Sequence, residues 1–122
     1  MLDFDNFPIT VELSSTAGSD VAKLLEMAAA MSADAFNIPD GILGRLTIDP
    51  IVLAARVREV TKKTVIAHLT CRDCTKLGLA SRLLGASNLA VDGILALTGD
   101  VGAKNVCNYS EHFIFGPSGL SI

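Results

Sequence analysis

Residues 63–98 read KTVIAHLTCRDCTKLGLASRLLGASNLAVDGILALT and contain one complete strand–helix–strand unit. Residues 63–69 and 93–98 are short, mostly apolar runs that predict two strands. Between them, Thr75 is a suitable N-cap for a helix. Because two strands joined by a crossover helix run parallel in one sheet, this stretch predicts an α/β fold. The predicted core face of the helix carries Leu77, Ala80 and Leu84.

The preceding part of the chain repeats this alternation. Residues 8–14 and 35–39 predict two further strands, so that four strands alternate with helices in one domain over residues 1–122. A glycine-containing loop follows the fourth strand, and residues 117–122 predict the beginning of another helix. The sequence therefore predicts a parallel sheet built from four consecutive βα units.

The first two helices have clear start signals. Ser19 and Asp20 offer N-caps to the first helix, and Asp49 followed by Pro50 starts a second helix that ends near Val60. Apolar residues at intervals of three and four predict one core face on each helix. These faces carry Val21, Leu24, Leu25, Ala28 and Met31 on the first helix, and Leu53, Val57 and Val60 on the second.

Composition excludes several classes of function. The 122 residues are 50% hydrophobic with a net charge of −3, and the 10 basic residues are scattered, which argues against a nucleic-acid surface. No run reaches the roughly 18 apolar residues of a membrane span, and the N-terminus is acidic where a secretory signal is basic. Three cysteines without such a signal predict a reducing, cytoplasmic environment.

Polar residues concentrate where the predicted strands end. Glu12, Asp40, His68 and Asp100 each lie in or just after one of the four strands. Singly they are open to ordinary interpretations: a carboxylate facing water from an edge strand, a core histidine, or a turn aspartate. Together they predict a ligand site, because the carboxyl ends of parallel strands meet at one end of the sheet. A carboxylate within an apolar strand, such as Glu12, suits general-acid chemistry.

The cysteines permit a weaker alternative. Cys71 and Cys74, with Cys107 and His112, could supply four zinc ligands, but a single Cys-x-x-Cys pair is a weak signal for a structural zinc module. The context of a thioredoxin-like redox pair is also missing. We therefore predict free thiols in a βα loop and no metal site. The glycine patterns of dinucleotide-binding and P-loop motifs are absent as well.

Two segments resemble a known family. AHLTCRD (residues 67–73) and ILALTGD (residues 94–100), with the helical stretch 77–86 between them, resemble strands three and four of the methylenetetrahydrofolate reductases. Glu12 between two apolar residues and the segment 39–45 also fit, so that the likeness covers residues 9–122. It is strongest for the reductase part of fusions with a homocysteine methyltransferase. The resemblance implies a (β/α)8 TIM barrel that uses FAD to reduce 5,10-methylenetetrahydrofolate to 5-methyltetrahydrofolate, a step of one-carbon metabolism and methionine biosynthesis.

The resemblance also implies roles for individual residues. Glu12 would be the acid that opens the methylene bridge, and Asp100 would act near the pterin and the flavin. Asp40 and Asp100 would contact the folate substrate. The flavin would be lined by His68, Leu97, Thr98, Gly99, Asp100 and Tyr109.

Three segments depart from the family's usual sequence. Ser14-Ser15-Thr16 replaces a Pro-Pro pair, Pro39-Asp40-Gly41 replaces Thr-Tyr-Gly, and Val101-Gly102 replaces a second Pro-Pro. The chain also supplies only four of the eight βα units in a barrel of about 250 residues.

The missing half leaves several possibilities open. A second copy or a separate chain could complete the barrel, or the four units could fold as an open sandwich, since exposed strand edges and apolar surface favour association. A non-catalytic half-barrel that binds a pterin or a protein partner is the competing interpretation.

Overall fold

The structure, a computed structural model, describes residues 4–100. The sheet contains β1 (Thr10–Glu12), β2 (Ala35–Ile38), β3 (Thr64–Thr70) and β4 (Gly93–Leu97), in that order and all parallel. Three helices connect them: α1 (Val21–Ala30), α2 (Pro50–Thr61) and α3 (Lys76–Asn88). The predicted α/β fold with four parallel strands is confirmed, and a sheet in which sequential strands are neighbours has the order found in (β/α)8 barrels.

Each helix begins where the sequence predicts. Asp20 caps α1 through the N–H of its third residue, and Asp49 caps α2, in which Pro50 occupies the first position. The hydroxyl of Thr75 accepts the N–H of Gly78 at 2.9 Å and caps α3. These caps satisfy donors that have no partner within the helix, and each is worth about 1 kcal/mol.

The two faces of the sheet have different surroundings. Alternate residues of the central strands, among them Phe36 on β2 and Val65 on β3, are completely buried against the helices. Each such side chain contributes about 1.5–3 kcal/mol by leaving water. On the opposite face, Leu95 and Leu97 of β4 remain exposed because no layer of described residues covers them. The core therefore lies on the helix side, and the described residues leave the other face uncovered.

The predicted core face of α3 is wrong. Leu77 is 82% exposed and Leu84 is 66% exposed, and Ala80 is also exposed, whereas Leu79 and Ala86 pack against the core. Leucines occur on more than one side of this helix, so their spacing alone does not identify the side that meets the sheet.

A smaller correction concerns the end of α2. Leu53 and Val57 are buried as predicted, but Val60 is exposed. The core-facing row continues instead by a step of four, to the half-buried Thr61, whose hydroxyl donates to the carbonyl of Val57 at 2.8 Å.

The first strand is shorter than predicted. The sequence predicts a strand over residues 8–14, whereas the strand in the structure covers Thr10–Glu12. Before β1, the N–H of Ile9 binds the carboxylate of Asp34 at 2.7 Å, and a side-chain acceptor has taken the place of a strand partner. The predicted helix at residues 117–122 lies outside the described residues. Within residues 4–100, no helix is long and apolar enough to cross a membrane.

Candidate functional site

A cavity of about 260 Å³ opens at the carboxyl ends of the four strands. We call it the strand-end cavity. It brings together seven of the residues that the sequence singled out, while Tyr109 lies outside the described residues. Small-molecule pockets commonly have volumes of about 300–1,000 Å³, so the volume that the described residues enclose lies just below that range. The lining residues are Glu12, Pro39, Asp40, Ile42, His68, Thr70, Leu97, Thr98, Gly99 and Asp100.

His68 is the most deeply placed ionisable group of the strand-end cavity. It lies on β3, is only 9% exposed, and its Nε2 atom has no hydrogen-bond partner among the described residues. Burial lowers its pKa below the ordinary value of 6.5, although the nearby Glu12 and Asp40 act in the opposite direction. The ring is therefore neutral near pH 7, and a ligand hydrogen bond would satisfy an atom whose isolation costs about 1–3 kcal/mol.

The lowered pKa of His68 predicts a pH-dependent stability. The unfolded chain binds this proton more readily than the folded one, so the stability contribution is complete above pH 6.5 and falls as the pH decreases below it. We expect the thermal midpoint to decrease between about pH 8 and about pH 5.5, and His68→Gln to flatten that curve. The matched control is His112→Gln, which changes the other histidine of the sequence. An unchanged slope in His68→Gln would contradict the prediction.

The two predicted catalytic carboxylates reach the strand-end cavity from opposite edges of the sheet. Glu12 is exposed on the edge strand β1, and Asp100 is exposed three residues after β4. The carboxylate of Asp100 accepts the backbone N–H of Leu43 at 2.7 Å, which connects the loop after β4 to the loop after β2. The arrangement thus places an acid on either side of the neutral imidazole of His68.

Asp40 has several protein partners. Its Oδ2 atom accepts the N–H of Thr70 at 2.9 Å and the Thr70 hydroxyl at 3.1 Å, and it pairs with Arg82 of α3 at 3.4 Å. Burial opposes protonation of Arg82, but the attraction of Asp40, the hydrogen bond to Cys74 and the attraction of Asp49 raise its pKa above the ordinary value. Asp40 therefore joins β3, α3 and the loop after β2, and its contact with substrate stays a prediction.

The comparison with protein families agrees with this geometry. The model of the methylenetetrahydrofolate reductase family matches residues 6–114, which is most of the chain. The chain belongs to the methylenetetrahydrofolate reductase family. Members of this family are TIM barrels, so the four parallel strands are half of such a barrel. No curated protein and no solved structure gives a significant match.

Two arginines of this reductase-family site have roles that the sequence pattern did not predict. Arg82 lies within α3, where its partners Asp40 and Asp49 are more than thirty residues away in the chain. Arg72, in the loop after β3, is buried and bonds backbone carbonyls of two other loops. For Arg72, the sequence shows only a charged residue two positions after the buried strand β3, a pattern that is also common at exposed turns.

The departure from the family's Pro-Pro pair after β1 has a structural counterpart. Ser15 is buried, and its hydroxyl accepts the N–H of Ile48 at 3.0 Å. The N–H of Thr16 in turn donates to the hydroxyl of Ser19 at 2.7 Å. Side-chain hydrogen bonds therefore hold this loop at the positions where the resemblance implies a Pro-Pro pair, whose rings would restrict the backbone.

This hydrogen bond predicts a measurable loss of stability. Ser15→Ala leaves the N–H of Ile48 without its acceptor, and we expect the free energy of unfolding to fall by about 1–3 kcal/mol. Ser14→Ala, at the exposed neighbouring position, should change it by less than about 0.5 kcal/mol. Urea denaturation of both variants tests the difference, and equal values would contradict it.

The cysteine pair lies beside the strand-end cavity. Cys71 is buried and Cys74 is half-buried, both as free thiols, and the Cys74 sulfur accepts a hydrogen bond from Arg82 at 3.5 Å. Among residues 4–100, no group of three or more His, Cys, Asp or Glu side chains is placed to hold a metal ion. The other two ligands of the zinc alternative, Cys107 and His112, lie outside the described residues, so the structure tests neither that alternative nor the prediction of no metal site.

Proposed function

We propose that this chain forms half of a flavin-dependent barrel that reduces 5,10-methylenetetrahydrofolate to 5-methyltetrahydrofolate, in the cytoplasm and as a step of one-carbon metabolism and methionine biosynthesis. The observation that carries the proposal is the meeting of Glu12, His68 and Asp100 at one cavity in a chain of the methylenetetrahydrofolate reductase family. A proton donor, a neutral hydrogen-bonding ring and a second carboxylate are the groups that such a reduction needs around one ligand.

The residues of the strand-end cavity are compatible with FAD. Leu97 is 38% exposed and offers apolar surface to a flat ring, while the unpaired Nε2 of His68 offers a polar contact. Gly99 has φ +91°, and an added Cβ there would lie 3.1 Å from the Cβ of Thr70, so a side chain at this position would require β3 and the loop after β4 to shift apart. FAD, when bound, would supply the hydride.

Side chains of this chain would supply the proton that the reaction needs. When the methylene bridge opens, one carbon–nitrogen bond breaks and that nitrogen takes up a proton, leaving an iminium carbon that accepts hydride to become the methyl group. Glu12 faces the strand-end cavity from β1 and is the proposed donor. The negative charge of Asp100 would stabilise the cationic iminium from the other edge of the sheet.

The open sheet supports the need for a second half. β1 and β4 are both edges among the described strands, and Leu95 and Leu97 are exposed on the uncovered face. A second copy of this chain or a different chain would cover that face and enlarge the strand-end cavity. The substrate would be a folate-type small molecule, with the remaining contacts supplied by that second half.

One experiment tests the proposal. The purified full chain is titrated with FAD and with a tetrahydrofolate analogue while its mass in solution is measured by sedimentation. We expect flavin absorbance near about 450 nm to travel with a species larger than the monomer. A monomer that binds the pterin without FAD would favour the non-catalytic alternative, to which the small volume of the described cavity lends some support. A monomer that binds neither would contradict the proposal.

A further inference from the structure

Three loops at the carboxyl end of the sheet meet around one buried guanidinium. Arg72 follows β3, and its side chain is 8% exposed. Its Nη1 atom donates to the carbonyl of Asp100 at 2.8 Å and to the carbonyl of Gly41 at 3.3 Å, and its Nε atom pairs with Asp73 at 2.7 Å. A single side chain therefore joins the loops that follow β2, β3 and β4.

Both neighbouring loops carry glycine where they approach Arg72. Gly41 has φ +56°, and an added Cβ there would lie 2.5 Å from the Nη2 atom of Arg72. At Gly99, with φ +91°, an added Cβ would lie 3.0 Å from the Cβ of Arg72. Both backbone conformations and both approaches suit glycine, so the two loops are shaped around this arginine.

The contacts continue from Arg72 to the carboxylate of Asp100. Arg72 holds the carbonyl groups of Gly41 and Asp100 next to each other, and the Asp100 carboxylate then accepts the N–H of Leu43, two residues beyond Gly41. The orientation of that carboxylate thus depends on the separation of two loops that the guanidinium sets. A lysine ammonium lacks the planar set of donors that serves several acceptors at fixed directions.

We propose that Arg72 is a positioning residue, which fixes the Asp100 carboxylate at the strand-end cavity through the loops after β2 and β4. Arg72 does not itself line the cavity, so it acts through Asp100. Its consequence for catalysis rests on the proposed function, whereas the positioning itself is measurable without any ligand.

The test uses the Leu43 amide of the full chain as the reporter. Hydrogen exchange at this amide is measured by NMR in the parent and in Arg72→Lys, and we expect at least about tenfold faster exchange in the variant. The Leu13 amide, which directly follows β1 and donates to the carbonyl of Asn37 on β2 at 2.8 Å, reports that the fold is intact. The matched control is Arg58→Lys, since Arg58 also joins a carbonyl to an aspartate, but near the start of β4. It should change Leu43 exchange less than about twofold.

A double variant separates positioning from general loosening. Asp100→Asn weakens the acceptor of the Leu43 N–H, and adding Arg72→Lys to it should change the exchange rate less than about twofold further. If Arg72→Lys does not fold, Asp73→Asn loosens Arg72 more gently and should accelerate Leu43 exchange about threefold.

Four results distinguish the positioning role of Arg72 from the proposed function. Leu43 exchange that is unchanged in a folded Arg72→Lys, or effects that add fully in the double variant, would overturn the positioning role. If Arg72→Lys does not fold, an unchanged Leu43 exchange rate in Asp73→Asn would also overturn the positioning role. Absence of FAD and pterin binding by the parent chain would overturn the proposed function and leave the Leu43 result standing.

Discussion

Glu12→Gln is expected to slow folate reduction by about 10²–10⁴-fold, while a nicotinamide or another electron donor reduces the flavin at the parent rate. The amide keeps the size of the side chain but cannot supply an acid proton when the carbon–nitrogen bond opens. Because Glu12 is exposed on an edge strand, the substitution should leave the fold intact. Rapid-mixing measurements on the flavin-loaded assembly follow the two half-reactions separately.

The control for this variant is another exposed glutamate. Glu26→Gln on α1 removes the same charge away from the strand-end cavity and should leave both half-reactions unchanged. If both half-reactions decline together in Glu12→Gln, then Glu12 supports the site structurally and is not the proton donor. A uniform decline in both variants would instead report an effect of net charge.

The fold was predictable because its signals are local. Asp20, Asp49 and Thr75 cap helices through hydrogen bonds to residues two or three positions later, which the sequence displays directly. The side of α3 that meets the sheet was not predictable in the same way. The sequence allows either Leu77 or Leu79 to face the sheet, and which of them does so depends on where the sheet lies under the helix.

Which residues line the site could be predicted for a geometric reason, but the hydrogen bonds that hold them in place could not. Glu12, His68 and Asp100 could be placed together because parallel strands end at the same edge of a sheet. The position of Arg72 could not be predicted, because its partners are backbone carbonyls 28 and 31 positions away. Every residue has a backbone carbonyl, so the sequence does not indicate which ones accept a hydrogen bond. Asp40 was expected to meet the substrate, yet it also anchors Thr70.

Asp40→Ala is expected to lower the free energy of unfolding by about 3 kcal/mol. The Thr70 N–H and hydroxyl lose their acceptor, and Arg82 loses one of its two carboxylate partners. Asp40→Asn should lower the free energy of unfolding by less, because its amide oxygen still accepts from Thr70. The remaining loss comes from the missing negative charge beside Arg82. Urea denaturation at a pH near neutral measures both values.

Helix capping provides the scale against which the Asp40 result is judged. Asp20→Ala removes an exposed carboxylate that caps α1 and should cost about 1 kcal/mol. A greater loss in Asp40→Ala identifies Asp40 as the residue that holds the loop after β2 against β3 and α3. Asp40→Ala could instead be as stable as Asp20→Ala and have a raised KM for the folate. In that case the Asp40 carboxylate binds the substrate, which agrees with its position in the wall of the strand-end cavity.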